Sequence, residues 1–143
     1  MKILLDTTYF LPIIGVNIKG LSNDLLIKLL KNKDYELCYC DVTLFELAAK
    51  GAKLVLAEHS LTIDDITKGL DSLIYDKRFT NISWLTYPFI LELASEVRKV
   101  HSDFLDCLIL STAVYQTDIF AMFDETLFKK ISRNKTLLSK ILE

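Results

Sequence analysis

Apolar residues recur along this chain in two rhythms. Short runs at 2–5 (KILL), 35–40 (YELCYC), 81–85 and 119–123 read as strands. Between them lie longer stretches in which apolar positions return every three or four residues. These predict helices over 21–30, 43–58, 62–75, 87–100, 103–115, 125–132 and 136–142. Local signals mark several ends. Ser22 or Asn23 is placed to cap the first helix, Pro88 sits at the first turn of the 87–100 helix, and Gly51 predicts a bend or break within 43–58. Thr62-Ile-Asp-Asp65 has the form of a capping box, and so does Thr43-Leu-Phe-Glu46. Strands separated by helices imply an α/β fold: a three-layer α/β/α sandwich around a central parallel sheet. The length, 143 residues, suits a single domain over 1–143.

Composition changes this picture in one respect. The chain is 51% hydrophobic with a mean hydropathy of +0.30, which raises the question of a membrane. The longest stretch without charge is 79–91, 13 residues, whereas a spanning helix needs about 18–20. The opening MKILLDTTYF places Asp6 inside what would be the apolar part of a signal peptide. A soluble, cytoplasmic protein with a generous core is expected.

Charge and cysteine usage narrow the classes further. Seventeen Lys and Arg against 19 Asp and Glu exclude a polybasic nucleic-acid binder, and 4 Gly leave little for a glycine-built phosphate loop. Cys38 and Cys40 alternate in a strand, so they share a face; with Cys107 they make no C-x-x-C motif and read as buried small hydrophobes. His59 and His101 have no histidine at helical spacing, which weighs against a histidine zinc site. The Phe and Tyr residues mostly fall at core spacing, with no motif for stacking single-stranded bases.

Candidate chemistry lies in the acids. The strands 2–5 and 119–123 lead to Asp6 and Asp124, and in parallel sheets ligands bind beyond such strand ends. Asp106 heads an otherwise apolar helix, where a carboxylate is economical only if a cation or donor meets it. Each acid also has a local reading. Asp6 ends a strand, Glu46 completes a capping box, Asp103 and Asp106 favour a helix N-terminus, and Asp124 caps the following helix. Together, Asp6, Glu46, Asp106 and Asp124, with Asp103 in attendance, would repel one another in one pocket unless a cation joined them. Oxygen ligands without histidine favour Mg²⁺ or Mn²⁺.

Four segments carry a resemblance over essentially the whole chain. ILLDTTYFLP with Asp6, DVTLFELAAK with Glu46, DFLDCLILSTAV with Asp106 and IFAMFDETLFKK with Asp124 resemble, in order, the acidic segments of PIN domains, most closely the VapC-type toxins of toxin–antitoxin pairs. The resemblance implies a metal-dependent endoribonuclease. Asp6, Asp106 and Asp124 would hold Mg²⁺ or Mn²⁺ with Glu46 completing the catalytic set, and Asp103 and Thr8 would support it. The implied partners are an RNA substrate, a small antitoxin and a second copy in a homodimer. Lys50, one turn from Glu46, and Lys129 and Lys130, after Asp124, are candidates for phosphate contacts at the rim. Where the family commonly carries Thr or Ser two residues before its last acid, Met122 stands here, removing a hydroxyl. That departure favours a second reading: a catalytically weakened PIN-like module that binds RNA or a protein partner. An aspartyl-phosphate phosphatase would need a second Asp at position 8, where Thr8 stands, and a receiver domain would need an early acidic pair that is missing.

Overall fold

A computed structural model describes residues 1–57, 60–123 and 125–142. His59 and Asp124 lie outside the described residues. The chain runs β1 (Lys2–Leu5), a 3-10 helix (Thr7–Ile14), α1 (Asn23–Lys31), β2 (Glu36–Cys40), α2 (Asp41–Ala57), α3 (Ile63–Tyr75), β3 (Phe79–Ile82), a short 3-10 turn (Trp84–Thr86), α4 (Pro88–Arg98), α5 (Phe104–Gln116), β4 (Ile119–Ala121), α6 (Thr126–Arg133) and α7 (Lys135–Leu142). The strands form one parallel sheet in the order β3-β2-β1-β4, with Ile3 opposite both Leu37 and Ile119, and Leu37 opposite Phe79.

Side chains alternate across the sheet and feed two cores. Leu4, Cys38, Cys40 and Ile82 face helices α4 to α7, against Leu93, Val97, Ile109, Ile131 and Leu137. Ile3, Leu5, Leu37, Tyr39 and Phe79 face the other way, against Phe10, Ile14, Leu47, Ile66 and Leu73. This is the expected arrangement of helices on both faces of a parallel sheet. Cys38 and Cys40 share a face as their alternation required. All three thiols are buried and free, and burial pushes Cys38 and Cys107 up to about 11 and Cys40 up to about 12.

Three local readings are corrected. Gly51 does not interrupt its helix, because α2 runs unbroken from Asp41 to Ala57. A Cβ at Gly51 would stand 2.6 Å from Ile66 Cδ1, so the residue is small to let α3 lie against α2. Thr43 and Glu46 are not a capping box, since the helix is already under way at Asp41; Thr43 Oγ1 instead lies 3.5 Å from Thr7 Oγ1 in the interior. The Asp41 carboxylate anchors that helix start, accepting from Val42 N–H at 2.9 Å, Ser83 Oγ–H at 2.8 Å and Trp84 N–H at 3.2 Å. The true box is Thr62 with Asp65, both of its reciprocal bonds being present. Finally, aromatic residues are not mostly core: Phe45, Phe89, Phe104, Phe123, Phe128, Tyr75, Tyr87 and Tyr115 are exposed, eight of the 14 Phe and Tyr. Helical spacing fixes which residues share a face but not whether that face is covered. No described helix is long and apolar enough to cross a membrane.

Candidate metal centre

The sheet order makes a crevice. From β1 the chain moves outward to β2 and β3, then crosses to β4 on the opposite side of β1. Ligands in open parallel sheets bind at the carboxyl ends of such a pair. Asp6 occupies that point: it follows β1 directly, and its backbone N–H donates to Ala121 O of β4 at 3.0 Å. Its Oδ2 accepts from Thr8 Oγ1 at 3.2 Å.

Two helices deliver further acids. Glu46 lies in the second turn of α2 and is only 3% exposed. Its Oε1 accepts from Lys50 Nζ at 3.0 Å, while Oε2 is buried with no hydrogen-bond partner among the described residues. Asp103 caps α5, accepting from Leu105 N–H at 3.0 Å and Asp106 N–H at 3.4 Å. Asp106 stands in the first turn of that helix. Glu46, Asp103 and Asp106 each bring one carboxylate oxygen within 4.8 Å of the others. Asp103 is thus both a cap and a member of the acidic group.

Asp6 belongs to the same neighbourhood. It shares with Asp106, His101, Phe120, Met122 and Leu127 a cavity of about 30 Å³, room for a water-sized occupant. Burial, then the negative charge of Asp106 and of Glu46, pushes the Asp6 carboxyl up to about 6, against smaller opposing effects of the Thr7 and Thr8 hydrogen bonds. Met122, in place of a hydroxyl residue, gives this cavity an apolar wall.

The basic residues disperse. Lys50 is half-exposed on Glu46; burial tends to lower its pKa, but the bond to Glu46 and the charges of Glu46, Asp6 and Asp106 raise it overall. Lys129 pairs with Glu125 at 3.2 Å on the exposed side of α6, and Lys140 reaches Glu96 at 3.7 Å. Lys130 turns to His101, with Nζ 3.4 Å from Nδ1. His101 itself was not foreseen as part of the site, yet its Nε2 lies 2.9 Å from Asp106 Oδ2. A signal existed: Asp106 at the head of an apolar helix called for a donor, and His101 stands five residues before it.

The donor set fits a hard divalent cation. It is built from carboxylate oxygens, it gathers negative charge that repels itself, and it contains a buried oxygen lacking any donor among the described residues, a cost of about 1–3 kcal/mol or more unless met.

The chain belongs to the PIN domain family, whose profile matches residues 3–134. PIN domains are typically metal-dependent nucleases. In fold it is similar to the crystal structure of VapBC2 from Rickettsia felis bound to a DNA fragment from their promoter, with a TM-score of 0.63 and 19% identity, over 90% of this chain and 92% of that one. No curated protein matches the sequence significantly.

Proposed function

We propose that this chain is a Mg²⁺- or Mn²⁺-dependent endoribonuclease, the toxin of a type II toxin–antitoxin pair, acting as one cytoplasmic domain over 1–143. The observation that carries the reading is the buried Glu46 carboxylate, grouped with Asp103 and Asp106, whose Oε2 has no hydrogen-bond partner among the described residues. Asp6, Asp106 and Asp124 are the proposed ligands, and Glu46 completes the acidic set. Bound there, a divalent ion would acidify water and offset charge on the phosphoryl oxygens. The chain's own contributions are separable. Asp6, held by Thr8, and Asp106, held by His101, keep their carboxylates oriented from two different elements. Thr8 and Asp103 support the set by orienting Asp6 and the start of α5. Lys50 and, at the rim, Lys129 and Lys130 provide positive charge that draws RNA phosphates toward an otherwise acidic pocket.

An antitoxin and a second copy of the chain are the proposed partners. The likeness to a VapBC assembly supports the first. The second draws support from an exposed aromatic cluster, Tyr87, Phe89 and Tyr115, with ring centroids 5.3 to 6.4 Å apart. Met122 in the cavity wall favours the alternative, a catalytically weakened module that binds RNA or a protein.

The test is cleavage of RNA by protein freed of contaminating nuclease. Asp6→Asn and Asp106→Asn are each expected to lower Mn²⁺-dependent cleavage by about 10²-fold or more, as loss of a charge-stabilising group does. Unchanged cleavage in either variant refutes the nuclease reading. Wild-type protein that binds RNA without cutting it supports the alternative.

A further inference from the structure

We propose that His101 is a positioning residue of the acidic site, holding Asp106 by Oδ2 while Lys130 holds the imidazole, so that Asp106 offers its other oxygen to a divalent ion. The inference rests on the metal reading above.

The argument starts from donor chemistry. An ammonium group has only donors, so in a hydrogen bond with Lys130 Nζ, 3.4 Å away, His101 Nδ1 is the acceptor. A neutral imidazole that accepts at Nδ1 carries its proton on Nε2, and Nε2–H then donates to Asp106 Oδ2 at 2.9 Å. Both ring nitrogens are occupied, which assigns His101 to holding a ligand rather than to being one. Among the described residues no hydrogen bond reaches Asp106 Oδ1, while Oδ2 is taken.

The ring is well supported. Its side chain is 11% exposed. The His101 backbone N–H donates to Val97 O at 3.0 Å, continuing the end of α4, and its carbonyl accepts from Cys107 Sγ at 3.7 Å in the first turn of α5. Lys130 projects from α6, which is seated in the same core by Leu127 and Ile131. The ring, set at the end of α4, thus links Lys130 of α6 to the Asp106 carboxylate of α5. Without that grip, Asp106 would be free to swing to another rotamer, away from the negative charge of Glu46 and Asp103. Carboxylates that ligate metals are in turn hydrogen-bonded, which fixes such orientations.

Mn²⁺ titration calorimetry on the full chain tests this, with melting in EDTA confirming that each variant folds. His101→Ala is expected to weaken Mn²⁺ binding about 10- to 100-fold, and His101→Gln, whose amide can still donate to Asp106, to keep most of the affinity. Lys130→Met should weaken binding by a smaller factor. In the metal-free wild type, ¹⁵N spectra of the ring should show a single tautomer protonated at Nε2. If the wild type takes up Mn²⁺ and His101→Ala binds within about twofold of it, the positioning role is overturned while the metal reading stands. A wild type that takes up no Mn²⁺ overturns both. Should the His101 variants fail to fold, unchanged affinity in Lys130→Met together with a ring protonated at Nδ1 overturns the inference.

Discussion

Lys50 Nζ lies 3.0 Å from Glu46 Oε1, one helical turn away, and leaves Oε2 of the same buried carboxylate without a hydrogen-bond partner among the described residues. One oxygen thus meets a half-exposed cation from the rim. The other is buried, on a carboxylate that is grouped with Asp103 and Asp106 and adds to the charge around Asp6. The ammonium partly neutralises the site and competes with any metal for it.

Replacing Lys50 by Met is therefore expected to tighten Mn²⁺ binding. The pair is half-exposed and screened, so the gain should be about fivefold, equivalent to about 1 kcal/mol. The same variant should raise the KM for RNA if Lys50 makes the phosphate contact proposed for it. Calorimetry and cleavage kinetics on one preparation check both signs.

Asp6 should make the metal-free protein sensitive to pH. Its folded pKa of about 6 lies above the usual 3.8, so the folded state holds the proton more tightly than the unfolded one. The penalty is absent below about pH 3.8, grows as pH rises through the interval, and is complete above about 6. Its full size is about 3 kcal/mol. Asp6→Asn should accordingly raise the melting temperature in EDTA at pH 7 and change it little at pH 4. Melting curves at both pH values decide this, and the expected sign is opposite to the variant's effect on cleavage.

Met122 should be a brake on activity. It lines the small cavity with Asp6 and Asp106, and a hydroxyl there would give a bound water or carboxylate a partner. Met122→Thr is expected to raise kcat about 10-fold, the low end of what an orienting group behind a metal ligand supplies, with some loss of stability from the smaller apolar side chain. Kinetics at saturating Mn²⁺ provide the measurement.

Two glycines should resist substitution unequally. A Cβ at Gly69 would meet the Ile13 carbonyl oxygen at 2.6 Å, and backbone of the first 3-10 helix has nowhere to retreat. At Gly51 the nearest atoms belong to the Ile66 side chain, which can shift in part. Gly69→Ala should cost about 1–3 kcal/mol and Gly51→Ala less, each net of about 1 kcal/mol of helix propensity gained. Urea denaturation ranks them.

What the sequence determined by itself is what local periodicity and local chemistry encode. Alternation placed Cys38 and Cys40 on one face, periods of three to four residues placed the helices, and Thr62 with Asp65 marked a helix start from three residues' spacing. Strand-then-acid order put Asp6 at the carboxyl end of its strand. Element ends moved by a few residues, as with β3 at Phe79–Ile82 rather than 81–85, because ladder partners rather than propensity end a strand. The tertiary structure alone decided the rest. Gly51 has no local reason to be small; Ile66 of α3 supplies it. The contact of Lys130 with His101 exists only because α6 docks where it does. His101 looked solitary because its partner lies around a helix corner rather than one turn along a helix. These contacts join segments whose relative placement is set by burial of the two cores, a property of the whole chain that no short window of sequence contains.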